Sequence, residues 1–62
     1  MSARLRAMRE GAGITQERLA AQAGLSVATV RKIETGMVVE PGYFTVMAML
    51  SALGASPQDL QA

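Results

Sequence analysis

Thr15–Gly36 reads TQERLAAQAGLSVATVRKIETG, and its punctuation spells two short helices joined by a tight turn. Thr15 is a good N-cap, because its hydroxyl can accept from a backbone N–H that has no partner inside the helix. Glu17 follows in the first turn, where a carboxylate suits the positive end of the helix dipole. Leu19, Ala20 and Ala23 then share one face. Gly24 stops the helix, since a left-handed closing residue without a Cβ is unstrained. After Leu25, Ser26 is a second N-cap, and the helix it starts is predicted to run to about Thr35 before Gly36. At about 100° per residue, Val30 and Ile33 share its inner face, while Ala28, Arg31, Lys32 and Thr35 fall opposite. Ala20 sits where the two helices would cross, and Leu25, Val30 and Ile33 fill the angle between them. This is the layout of a helix-turn-helix, whose second helix can lie in the major groove of DNA.

Working outward, Ser2 is predicted to cap a preceding helix that carries Leu5 and Met8 on one side and ends at Gly11 and Gly13. Ile14 is a core plug in the loop. Beyond Gly36, Met37–Gly42 is a connector with a turn signal at Pro41-Gly42. A fourth helix is predicted over Tyr43–Leu53, stopped by Gly54. Ser56-Pro57-Gln58-Asp59 resembles the start of a short last helix, with Ser as cap, Pro at the first position and an acid at the third. Leu60 can fold back onto the core. No strand-like alternation extends beyond Met37–Val39, so the fold class is all-α.

The chain has 62 residues, a formal charge of +1, and no Cys or His. A domain this small buries only about 60% of its unfolded-chain surface. Neither a disulfide nor a Cys/His zinc site can staple it. With one Tyr and one Phe, the core must be aliphatic. The usual general base, thiol nucleophile and soft metal ligands are missing, and the carboxylates Glu10, Glu17, Glu34, Glu40 and Asp59 are scattered. We therefore expect no catalytic residues, no metal, no cofactor and no enzyme activity. The dense apolar run Tyr43–Leu53 falls short of the ~20 residues that cross a bilayer, and Met1–Arg9 does not read as a secretory signal. A cytoplasmic protein without a membrane partner is expected. The charge is unevenly spread. All six basic residues lie within the first 32 positions, which carry +4, and the remainder carries −3. A polyanion would prefer the N-terminal half, although a plain solvated helix surface accounts for the charge equally well.

The ordered set Gln16, Leu19-Ala20, Gly24-Leu25-Ser26, Val30, Ile33-Glu34 and Gly36 resembles the Cro/phage-repressor (XRE-type) helix-turn-helix family. Leu5-Arg6-Ala7-Met8-Arg9 is similar to that family's first helix. Pro41 with the apolar helix ending in Ala52-Leu53-Gly54-Ala55-Ser56 is similar to its fourth, and Asp59-Leu60 to its fifth. The resemblance implies a compact five-helix, lambda-repressor-like domain over residues 1–62, with the motif at about 15–36. It also implies sequence-specific binding of double-stranded DNA. Gln16 would contact the backbone at a helix N-terminus, and Ser26 would cap and touch a phosphate. The readout positions would be Val27, Ala28, Thr29 and Lys32, with Arg31 beside them on a phosphate. Val27 and Ala28 offer only apolar contact to thymine methyls, so the recognition surface is poor in hydrogen bonds and leans on DNA shape. By the same resemblance, Arg9 and Glu34 form a partly buried ion pair between the first and third helices.

Two departures from that family stand out. The connector, usually polar and basic, reads Met37-Val38-Val39-Glu40 here. The fourth helix has no charged residue between Tyr43 and Leu53. Tyr43, Val46, Leu50 and Leu53 make one stripe for the core, leaving Phe44, Met47, Ala48 and Met49 largely on other faces. An apolar surface of that kind asks to be covered. We expect a homodimer, with Met37, Val38, Val39, Phe44 and Met47 at its interface, bound to a palindromic operator as a transcriptional repressor or autoregulator. The competing expectation is an antitoxin or protein-interaction module. Its apolar surface would hold a toxin or other protein, with weak DNA binding or none.

Overall fold

The computed structural model describes residues 2–37 and 41–60. Among these, four α-helices follow one another: α1 (Ser2–Gly11), α2 (Gln16–Ala23), α3 (Val27–Glu34) and α4 (Tyr43–Ala52). A single 3₁₀ turn at Pro57–Leu60 ends the described chain. The expected fifth helix is thus only this turn. Ser56 and Asp59 close on each other, with the Ser56 N–H donating to Asp59 Oδ2 at 2.8 Å, a clasp three residues long that suits one tight turn. Ser2, expected as a cap, already lies inside α1.

Both caps of the central pair form. The Thr15 hydroxyl accepts from the Arg18 N–H and the Ser26 hydroxyl from the Thr29 N–H, each at 3.1 Å. Gly24 adopts φ 72°, which lets the Leu25 N–H reach back to the Ala20 carbonyl at 2.9 Å. That six-residue closure turns the chain sharply and drops Leu25 against the core. With the Gly24 N–H donating to the Ala21 carbonyl at 3.4 Å, this makes a pair of backbone bonds that also ends α1, α3 and α4.

α2 packs on α3 and on α4, and α1 on α3. Their common interior is Leu5, Leu19, Ala20, Val30, Ile33, Val46, Met49 and Leu50. It holds no aromatic side chain, as the composition required. Met8, Ile14, Leu25 and Leu60 seal its margins. The stripe read for α4 needs correcting. Met49 is fully buried, while Tyr43 is 70% exposed. The helix therefore seats Val46, Met49 and Leu50 inward, an i, i+3, i+4 set, and its first turn overhangs the edge of the small core. Met47, expected on an outer face, is half-buried and packs partly against this interior.

Candidate nucleic-acid interface

Inner anchoring of α3 fixes which side of it meets solvent. Val30 and Ile33 are buried, and Ala28, Arg31 and Lys32 are exposed on the opposite side. Val27 and Thr29 are only half-exposed. Val27 leans against the core, and the Thr29 hydroxyl lies 2.8 Å from the Ser26 hydroxyl. The freely presented outer face is consequently narrower than the sequence implied: one methyl group and two cations, with Thr29 and Val27 at its edges. Ser26 is exposed and committed as a cap, its oxygen accepting from the Thr29 N–H.

Beside α3, a polar knot joins three helices. Arg9 Nε donates to Glu34 Oε2 at 2.8 Å, and Arg9 Nη2 donates to Glu34 Oε1 at 3.1 Å. This is the bidentate fork that matches a guanidinium to a carboxylate. Arg9 Nη1 also donates to the Ile14 carbonyl at 2.8 Å, tying in the loop that precedes α2. The Glu34 side chain is 1% exposed and that of Arg9 11%. The Glu34 hydrogen bond, outweighing the effect of burial, raises the Arg9 pKa above its ordinary value. None of the buried side-chain polar atoms among the described residues lacks a partner.

Gln16 belongs to this knot, which the sequence did not foretell. Its Nε2 donates to Glu34 Oε1 at 3.1 Å. The side chain expected to contact the DNA backbone is therefore half-buried and already bonded within the protein. A glutamine and a glutamate 18 residues apart carry no local signal of such a bond. It became findable only once α2 and α3 were placed side by side. Arg6, Arg9, Thr15, Gln16, Glu34 and Thr35 line an open hollow of about 360 Å³ next to the knot. Arg6 also meets Glu10 at 3.4 Å on the exposed side of α1, an i, i+4 pair in water that contributes little.

The expected apolar interface residues separate into three groups. Phe44 and Met37 are 84% and 74% exposed. Met47 is half-buried, as described above. Val38 and Val39 lie outside the described residues. Tyr43 joins Phe44 on the surface, the two rings meeting edge to face with centroids 5.4 Å apart. Among the described residues no cluster of His, Cys, Asp or Glu could hold a metal ion. None of their helices is long and apolar enough to cross a membrane.

Two capped helices in this pose, with a solvent-facing second helix, define a helix-turn-helix protein. The model of the family described as "Helix-turn-helix domain" matches residues 1–62, and the chain belongs to that family. The family connects the chain with DNA binding and transcription regulation. No curated protein matches significantly, and no solved structure does.

Proposed function

We propose that this protein is a sequence-specific regulator of transcription of the Cro/phage-repressor (XRE) type. In this reading residues 1–62 act as one DNA-binding domain, a cytoplasmic homodimer binds a palindromic double-stranded operator, and the chain catalyses no reaction. The pose of α3 carries the reading: its apolar side is anchored in the core while Ala28, Arg31 and Lys32 stand in solvent. Lys32 donates to guanine O6/N7 or to a phosphate, and Ala28 meets a thymine methyl. Arg31 takes a phosphate, and Ser26 and Gln16 add backbone contacts at the helix starts. Val27 and Thr29 contribute from the edge of the face. A two-fold dimer would place its recognition helices about 34–36 Å apart, one turn of DNA.

Selection of binding sites from random duplex DNA, followed by titration at two salt concentrations, tests this. A palindromic consensus is expected, and log affinity should fall against log salt by about 0.9 for each phosphate neutralised. Recovery of no consensus together with a flat salt response would remove the proposal. That result would favour an antitoxin or protein-interaction module, which the exposure of Phe44, Tyr43 and Met37 also supports. In that case a protein partner would cover these side chains.

A further inference from the structure

The bond between Gln16 and Glu34 gives the buried carboxylate a role beyond holding α1 to α3. An ionised carboxylate only accepts hydrogen bonds, so Gln16 must turn its amide nitrogen, and not its oxygen, toward Glu34. Arg9 grips both Glu34 oxygens and also the Ile14 carbonyl, so the acceptor is itself held from two directions. A glutamine on a helix surface otherwise samples many rotamers and would lose that freedom on reaching a phosphate. Here the Glu34 bond removes it in the free protein and fixes where the second amide N–H points. We infer that Glu34 is a positioning residue for DNA binding. Through its bond to Gln16 it presets that amide at the start of α2 for a backbone phosphate, without touching DNA itself. The inference rests on the DNA-binding reading above.

Two measurements test it on the full chain. The first is ¹⁵N relaxation of side-chain amides in the free protein. The Gln16 amide should be ordered near the rigid-backbone value of about 0.85, and the exposed Gln22 amide should fall below about 0.6. A Gln16 value as low as that of Gln22 overturns the inference, and this result needs no variant to fold. The second is a double-mutant cycle of Gln16→Met and Glu34→Leu, which leaves no acceptor for the Gln16 amide, titrated with the selected operator at a temperature where circular dichroism shows each variant folded. Each single change should weaken binding about tenfold, the scale of one hydrogen bond to a charged group, and the double variant should be little weaker than either. Should Glu34→Leu bind as wild type while Gln16→Met is weakened, the positioning role fails and the DNA reading survives. Independent losses that multiply to about a hundredfold overturn it in the same way. Absence of salt-dependent DNA binding by the wild-type chain would instead sink the DNA reading, and the inference with it.

Discussion

Replacing Arg9 with methionine strands the Glu34 carboxylate, and the expected result is loss of most of the fold's stability. Glu34 is 1% exposed at its side chain, and Arg9 supplies two of its three hydrogen bonds. Removing one partner of such a pair costs about 3–5 kcal/mol, because the remaining charge has neither water nor counterion. A chain of 62 residues, at about 0.05–0.15 kcal/mol per residue, has roughly 3–9 kcal/mol in total. Arg9→Met should therefore lower the melting temperature by roughly 12–40 °C, at about 4–8 °C per kcal/mol for a domain of this size. The double change Arg9→Met/Glu34→Leu removes both charges and replaces them with apolar groups of similar bulk. It still deprives the Ile14 carbonyl of its Arg9 donor, at about 1 kcal/mol. The double variant should consequently be at least ~2 kcal/mol more stable than Arg9→Met alone. Thermal and urea unfolding by circular dichroism, at one fixed protein concentration, measures all four corners of the cycle. If the double variant is as unstable as the sum of the two single ones, the reasoning about a stranded charge is refuted.

Three further outcomes are expected. Lys32→Ala and Arg31→Ala should leave the melting temperature within about 0.5 kcal/mol equivalent, since both side chains are exposed, and each should reduce the salt slope of DNA binding by about 1.8 where its side chain meets a phosphate, about 0.9 for each subunit of the dimer. Phe44→Ser should leave the helical circular dichroism unchanged, because the ring contributes nothing to the core, and should shift sedimentation toward monomer; an unchanged sedimentation coefficient would remove Phe44 from the interface. Stability should be nearly flat from pH 6 to pH 9. The raised pKa of Arg9 gives stability that is complete below the ordinary arginine value and is lost only as pH rises through the higher folded value, far above this window, and there is no His or Cys to titrate within it. Melting temperatures at pH 6 and pH 9 that differ by more than about 5 °C would contradict this.

Much of the architecture was written locally. Thr15, Ser26, Gly24 and Gly36 act through their own backbone neighbours within a few residues, and the caps and closures they form follow from that local chemistry. Val30 and Ile33 were readable because α3 has a polar side against which their periodicity shows. α4 lacks that contrast, being apolar nearly all round, and so Tyr43 and Met49 were exchanged between surface and core. The position of the helices packed beneath it, α2 foremost, decides which apolar residues are covered. The contact from Gln16 to Glu34 was hidden for a related reason. It depends on how closely the start of α2 approaches the end of α3, a distance no sequence spacing encodes. The narrowing of the outer face has a local cause that was within reach. A cap at Ser26 brings its hydroxyl to that of Thr29, which a purely helical projection ignores.

The placement of the two aromatic residues bears directly on assembly. A domain of this size has one small aliphatic interior, and it is already filled by eight side chains. Tyr43 and Phe44 stand outside it, where they contribute nothing to packing the monomer's core. In a homodimer four such rings, at roughly 150 Å² each and about 25 cal/mol per Å², would supply about 15 kcal/mol of gross burial. Association itself costs an estimated 4–15 kcal/mol in lost freedom. The rings alone therefore reach from break-even to moderate affinity, and Met37 is the next exposed apolar side chain available to add to them. The DNA side of the balance is similar. With two exposed cations on the α3 face of each subunit, a monomer would have few phosphate contacts, whereas a dimer would double them on one operator. Each surface would thus strengthen the other. On the proposed reading, dimerisation and operator binding are energetically coupled, and an aromatic pair on the first turn of α4, outside the recognition helix, contributes to the affinity for DNA.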